Sequence, residues 1–468
     1  MEWEWTSAPS KPASLPYQYE KLPRYSFLSF NACKSYPTQR AGDETPMTFA
    51  TAFSLSNLEL TSFFIALVLL LLTAHLMGFI FYELKLPRVI GEILGGLMLG
   101  PTVLGHFSPD SMNWLFVGST SEGKLLALVS NLGLILLMLV SGFEIQRSFS
   151  REDRRIATAF LVGATFVPFI IGVAAPSFVN LSAYAGPKSN GLTLAIIVGI
   201  GISVTSIPVI SKIFIDLKII DTRFAKIVLA IATVEDVIQF AMLAVATSLS
   251  ESTNLALNTI ATTVLITVLF LAFCLIVLPR IILYTYHSRF SVLINTHPSR
   301  YALFLCFSLV AIASLVNVNI VFGAFLAGVA MAALPRDTFA KAKSQIKSIS
   351  FATFTPVYFA MVGLKLDLVH HFDPVIFLGF ILFSTTLKGL GAMVVGRLVK
   401  QGWLSSTNFA VTLNARGGPG IVLATVTFDL GLISEEFFVA LVLTAIVTSL
   451  VAGYWLRYVI RRGQVLLS

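Results

Sequence analysis

Beyond residue 56 the chain is a succession of apolar runs separated by short polar breaks, with neither the alternation of half-buried strands nor the single apolar stripe of soluble helices. Thirteen of these runs come near the ~20 residues that cross the hydrocarbon of a bilayer as a helix. They cover about 59–82, 88–106, 124–145, 156–179, 191–214, 224–249, 257–284, 301–318, 319–334, 350–366, 373–396, 407–430 and 435–456, the eighth and ninth being almost continuous. The pattern predicts an all-α polytopic membrane protein with thirteen transmembrane helices. Residues 1–56 are different: rich in Pro, Ser and Tyr and without apolar periodicity, they read as a disordered N-terminal tail. The tail lacks the charged start and apolar core of a cleaved leader, and Met47 is a second candidate for the chain's start.

Composition agrees. Of 468 residues 56% are hydrophobic and 12% charged, against roughly 25% charged in a soluble domain, which excludes a single soluble globule. The net charge of +8 is a topology signal before it is a nucleic-acid signal. Loops and span ends that follow odd-numbered spans, with the C-terminal tail, hold 22 Lys and Arg, whereas those after even-numbered spans hold 3. Basic loops stay cytoplasmic, so the N-terminus is expected outside and the C-terminus inside, in the plasma (inner) membrane. Cys33, Cys274 and Cys306 have no paired spacing, and the six histidines form no ligand cluster. Neither a disulfide framework nor a metalloenzyme is implied.

The chain also resembles itself. IGEILGGLMLGP (90–101) is echoed by FGAFLAGVAMAALP (322–335), and LLMLVSGFEI (136–145) by PVYFAMVGLKL (356–366), with Gly142 matching Gly363 at an offset of 221. Further on, SVTSIP (203–208) matches NARGGPG (414–420), Pro208 and Pro419 being offset by 211. Spans one to six (about 59–249) then correspond to spans eight to thirteen (about 301–456), with a linker helix at about 257–284. Residues 57–458 make one transmembrane domain, and 459–468 a short cytoplasmic tail. An odd number of spans separates matching elements, so the repeats are expected to be inverted, the architecture of secondary transporters.

An ionisable side chain at membrane depth costs at least ~2.5–3.5 kcal/mol, so each needs a reason to be there. Five lie well inside spans: Glu92, Glu235, Asp236, Lys388 and Arg416. Glu235 and Asp236 are adjacent in ATVEDVIQF (232–240), about 100° apart on a helix, so they face different partners. Two acids in low dielectric disfavour each other's charge, and such a group holds either a proton or a small cation; interhelical salt bridging is the plainer alternative. Lys388, in FSTTLKGLGAM (383–393), is too deep to snorkel and is the expected counter-charge to Asp236 or Glu235 when no cation is bound. In GISVTSIPVISK (201–212), Pro208 removes a donor and frees carbonyls near Val204. With the hydroxyls of Thr205 and Ser206 these oxygens suit a monovalent cation beside Glu235 and Asp236. LNARGGPGIV (413–422), with Pro419, must also unwind. Two broken helices at matching places mark a midplane substrate site, where Arg416 is placed to neutralise helix C-terminal ends. Glu92 reads equally as a structural hydrogen bond or an access residue. GLMLG (96–100) is a Gly-x-x-x-Gly pattern, the seam of a dimer or of a tight bundle. His370 and His371, in an outer loop, sense external pH or, more simply, are ordinary loop residues.

In order along the chain, LPRVIGEILGGLMLGPTVLG, the VEDV pair, VFGAFLAGVAM, PVYFAMVGLKLDL and NARGGPGIVLA resemble the monovalent cation:proton antiporter-2 family of sodium/proton and potassium/proton exchangers. The similarity covers residues from about 60 to 458. It implies a thirteen-helix homodimer with a dimerisation domain and a six-helix core domain containing two crossed, broken helices. By position Asp236 resembles the family's essential ion-binding aspartate, and Glu235 stands where Asn, Asp or Gln is usual. Lys388 resembles the lysine that pairs with that acidic motif in electrogenic members. Glu235 itself and ARGGPG in the second broken helix, where many members have a glutamate after Arg-Gly, depart from the family pattern. Kef-type members carry a C-terminal nucleotide-binding regulatory domain, and this chain, which stops about ten residues after its last span, is expected to lack that control.

These features predict a secondary antiporter in which Asp236, with Glu235, alternately holds protons and Na⁺ or K⁺. No cofactor is implied, and the expected partners are monovalent cations, protons, the lipid bilayer and a second copy of the chain. An enzyme is not expected, since no nucleophile, metal cluster or phosphate loop accompanies the acids. The rival readings are a potassium channel or Kef-like efflux conduit without proton coupling, and a non-transporting membrane sensor on the same scaffold.

Overall fold

No water reaches backbone groups in hydrocarbon, so apolar runs of this length fold as helices that close their own hydrogen bonds. The computed structural model describes residues 56–84, 86–117, 120–144, 151–250, 257–288, 294 and 296–467; the expected N-terminal tail lies outside them. Among the described residues every regular element is helical, apart from one antiparallel bridge between Ala185 and Ile433. The first half runs α1 (Asn57–Glu83), α2 (Arg88–Leu99), α3 (Thr120–Phe143), α4 (Arg151–Leu161), α5 (Val167–Ala174), α6 (Gly191–Ser203), α7 (Ile207–Asp216) and α8 (Arg223–Ser250). Then come α9 (Leu257–Ala272), α10 (Leu278–His287), α11 (Pro298–Leu315), α12 (Ile320–Met331), α13 (Arg336–Ile349) and α14 (Thr355–Leu364). The chain finishes with α15 (Pro374–Leu398), α16 (Trp403–Leu413), α17 (Gly417–Asp429) and α18 (Glu435–Arg461).

Among the described residues ten helical stretches are long and apolar enough to cross a membrane, and they coincide with predicted runs one to eight, eleven and thirteen. The other three runs, at 319–334, 350–366 and 407–430, lie on the shorter helices α12, α14 and the pair α16/α17. The helix α13 departs from the sequence pattern, folding within the basic loop after run nine, where Lys343 and Lys347 meet Glu144 at 2.9 and 3.3 Å.

Prolines explain three of the irregular turns. Pro168, Pro279 and Pro356 each follow a single π turn by two residues (Val162–Phe166, Phe273–Val277 and Ser350–Phe354). A helical proline lacks an N–H and crowds the carbonyl one turn back, and a widened turn relieves both. Small residues set the packing. A side chain on Gly96 would strike the Ala360 carbonyl, and one on Gly363 the Ile93 carbonyl, so α2 and α14 touch through backbone. Gly328 meets the Leu139 carbonyl and Gly142 the Phe325 carbonyl in the same way, joining α12 to α3. The Gly-x-x-x-Gly pattern is thus a seam inside one chain: Gly100, too, faces Leu364. Burial separates interior from periphery. Of the apolar window in Gly191–Asp216, 94% is buried, against 17% in Asn258–His287, so the broken helix α6/α7 is enclosed by protein while α9/α10 presents its surface to the surroundings.

Candidate functional site

The run at 191–214 is interrupted at Val204–Ser206, where the backbone is extended (Val204 φ −64°, ψ 141°; Ser206 φ −108°, ψ 106°). Pro208 explains the restart, since proline is favoured in a helix's first turn, where its missing N–H costs nothing. Ser206 caps α7 by accepting the N–H of Val209 at 3.4 Å. The second break separates α16 from α17, whose first turn contains Pro419. Gly417 has φ +30°, and a Cβ there would fall 2.5 Å from the Ser206 hydroxyl oxygen, so only glycine lets the two breaks approach. They are tied directly: the Ser206 N–H donates to the Ala415 carbonyl at 2.7 Å, the Thr205 hydroxyl to the Leu413 carbonyl at 2.6 Å, and the Gly418 N–H to the Ser206 hydroxyl at 3.1 Å.

Around this crossing four of the five intramembrane ionisable groups converge. Lys388, fully buried on α15, donates from Nζ to the carbonyls of Ser203 and Val204 (the latter at 3.0 Å) and to the Thr205 hydroxyl at 2.6 Å. The same nitrogen lies 3.7 Å from Glu235 Oε1. Arg416, also buried, donates Nε to the Gly201 carbonyl and Nη2 to the Ile202 carbonyl, both at 3.1 Å. The C-terminal end of α6, whose last carbonyls have no helical partners, therefore receives two cations. Glu235 accepts a hydrogen bond from Thr165, whereas its Oε2 and both oxygens of Asp236 are buried with no hydrogen-bond partner among the described residues. Of the two acids, Glu235 is the one within ion-pair distance of Lys388. The Gln239 amide donates to the Ser203 hydroxyl at 3.3 Å, and a void of about 10 Å³ lies between Val204, Gln239 and Pro419.

The geometry divides the expected residues. Glu235, Lys388 and Thr205 form one contact shell, with Asp236 next along the helix. Ser206 turns into the crossing, where its hydroxyl serves Val209 and Gly418. Glu92 is buried on α2 beside Gly78, away from the crossing, and its Oε2 has no hydrogen-bond partner among the described residues. His370 contacts Asp367 at 2.8 Å, and His371 contacts Glu436 at 3.0 Å and Glu435 at 3.6 Å, so neither is a free loop side chain. The hydrogen bond it donates to the Glu436 carboxylate holds the His371 imidazole above its ordinary value. Thr165 and Gln239 were not evident from sequence. The one pointer to Thr165 was Pro168, which widens the turn that carries it.

The model of the sodium/hydrogen exchanger transmembrane family matches residues 67–462. Potassium/proton antiporter 1 of Saccharomyces cerevisiae is 30% identical over 425 residues, covering 85% of this chain and 46% of the yeast protein. The Na⁺/H⁺ antiporter NhaS4 of Synechocystis sp. is 27% identical over 395 residues, covering 81% of this chain and 92% of that protein. Cation/H⁺ antiporter 17 of Arabidopsis thaliana is 28% identical over 81% of this chain and 46% of its own length. The chain thus spans about half the length of the yeast and plant relatives. Among solved structures, the sodium proton antiporter MjNhaP1 of Methanocaldococcus jannaschii shares the fold, with a TM-score of 0.58 at 16% identity, over 85% of this chain and 97% of that one. The resemblance read from the motifs is borne out: this chain belongs to the sodium/hydrogen exchanger family of integral membrane proteins.

Proposed function

We propose that the chain is a secondary antiporter, not an enzyme, that exchanges a monovalent cation, Na⁺ or K⁺, for protons by alternating access. Asp236 and Glu235 form the shared ion and proton site, and Lys388 is its displaceable counter-charge. The observation that carries this reading is the seat of the Lys388 ammonium: two freed carbonyls, the Thr205 hydroxyl and a carboxylate 3.7 Å away. A bare monovalent cation needs the same oxygens. Asp236, buried with no hydrogen-bond partner among the described residues, requires a proton or a cation to offset its charge. A site that takes one or the other couples their movements. Relatives named as Na⁺/H⁺ and K⁺/H⁺ antiporters support the same activity.

The scaffold in this reading has thirteen membrane helices in two inverted repeats, 59–249 and 301–456, around the linker at 257–284, and assembles as a homodimer. Recurrent contacts support the repeat. Offsets of 232 and 221 carry the contact of Gly96 with Ala360 onto that of Gly328 with Leu139. The same offsets carry Gly363 with Ile93 onto Gly142 with Phe325, and 232 carries Gly91 with Met77 onto Gly323 with Leu309. At the breaks an offset of 211 carries the Thr205 bond to the Leu413 carbonyl onto the Arg416 bond to the Ile202 carbonyl. The asymmetry of basic residues supports an outer N-terminus and a cytoplasmic C-terminus in the plasma (inner) membrane.

The test uses everted vesicles with an imposed pH gradient, challenged with Na⁺, K⁺ and Li⁺ across pH 6–9. Wild type is expected to dissipate the gradient on addition of cation, and Asp236→Asn is not. Exchange that persists in Asp236→Asn, or cation currents with no proton movement, sinks the proposal.

A further inference from the structure

On the flank of the bundle, α15 and the π turn after α4 are in backbone contact, Gly391 against the Gly163 carbonyl. Beside that contact they enclose a groove of about 590 Å³, with Val162, Val395 and Leu398 in its wall and Arg154 and Arg155 at one end. Its volume falls within the ~300–1,000 Å³ usual for small-molecule sites. Val162 is 48% exposed and Leu398 74%, so the trough opens away from the protein, into hydrocarbon. Its charged end is less usual. Among the described residues no carboxylate lines the groove, and the neighbouring Asp153 is taken by Arg223 at 2.7 Å. Among the described residues neither Arg154 nor Arg155 has an ion-pair or hydrogen-bond partner. Arg397, stacked over the Trp403 ring at 4.7 Å, follows at the same end of α15, where the basic loops lie.

We infer that this groove is a binding site for one anionic glycerophospholipid of the cytoplasmic leaflet, with an acyl chain in the trough and the phosphate between Arg154 and Arg155. Each half of the site selects against other occupants. A zwitterionic lipid fills the trough but adds no net charge against two unpaired guanidinium groups, and free phosphate meets the arginines but leaves the trough unfilled. The walls of the groove belong to the two segments that carry Thr165 and Lys388, so the lipid lies directly behind the ion site.

Native mass spectrometry of the purified full chain, titrated with phosphatidylglycerol and phosphatidylcholine, tests the assignment. Wild type is expected to retain one phosphatidylglycerol in preference to phosphatidylcholine. Each basic residue near an anionic lipid surface contributes enough that R154Q/R155Q should weaken phosphatidylglycerol binding about 30-fold while leaving phosphatidylcholine unchanged. R154K/R155K should retain most of it. V162W, which fills the trough with both arginines intact, should lose the lipid as well, and excess inorganic phosphate should not displace it. Phosphatidylglycerol retained equally by wild type, R154Q/R155Q and V162W, or displaced by inorganic phosphate, overturns the site. Retention is measured without transport, so its failure is distinguishable from failure of antiport in the vesicle assay.

Discussion

At the break in the first interrupted helix stands the neutral Thr205; at the matching place in the second stands Arg416. Each reaches across to a carbonyl of the other helix, Leu413 for Thr205 and Ile202 for Arg416. The contacts match, but the charge does not. Arg416 clamps Gly201 and Ile202 with a planar, permanently charged fork and has no ion pair among the described residues. Lys388 covers the next two carbonyls with a compact ammonium beside Glu235. A guanidinium in a fixed fork is a built-in charge, whereas an ammonium on a flexible stem can be exchanged for another small cation. In the proposed mechanism the second break supplies a structural charge to the first, and the first keeps the seat where a transported ion would compete with lysine.

The comparison breaks most visibly at Arg416. Arg416→Leu leaves two buried carbonyls without donors, at ~1–3 kcal/mol each, so a loss of about 2–6 kcal/mol is expected by thermal or denaturant unfolding in detergent. The loss should be the same in Na⁺, K⁺ and choline, because no mobile ion replaces a fork. Lys388→Ala should behave oppositely: its stability should rise with Na⁺ or K⁺ and not with choline, by ~2.7 kcal/mol at a cation concentration of 100 Kd. Identical melting of this variant in all three salts would falsify the exchangeable seat. Thr165→Val removes a hydrogen bond to the Glu235 carboxylate, an interaction of ~1.5–3 kcal/mol for charged acceptors. Its apparent cation affinity in the vesicle assay is expected to fall about tenfold, with Thr165→Ser restoring most of it.

The smallest effect belongs to charge outside the membrane. His371 is held above its ordinary 6.5 by the hydrogen bond to Glu436. A histidine raised on folding contributes stability that is fully present below pH 6.5 and is lost as pH rises through the folded value. The ring is partly exposed, so His371→Gln should cost less than about 1 kcal/mol at pH 6. Melting curves of the two proteins should converge by pH 9, and a gap that widens with pH contradicts the assignment.

Much of the site was legible because hydrocarbon makes polar groups conspicuous. Glu235, Asp236, Lys388 and Arg416 stand out of apolar runs, and Pro208, Pro419 and their glycines mark where the backbone leaves the helix. Azimuth was not legible: spacing puts adjacent acids ~100° apart without saying which one meets Lys388. Nor was Thr165, because a hydroxyl in an apolar helix usually returns its hydrogen bond to its own backbone, as Thr233 does to Leu229 and Thr267 to Thr263. The glycine pattern at 96–100 allowed two partners, a second chain or another helix. Only the approach of Ala360 and Leu364 distinguished them. The helix α13 was hidden by its charge, since Arg336, Lys341, Lys343 and Lys347 have the composition of a basic loop between apolar runs.

If one buried carboxylate site holds either a proton or a cation, uptake of the cation must expel the proton. Purified protein in weakly buffered detergent solution, mixed with Na⁺ or K⁺ while a pH indicator is monitored, tests it without a membrane. Release of protons on cation addition is expected from wild type and not from Asp236→Asn. Cation binding by wild type with no proton release, or equal release from the variant, contradicts the account.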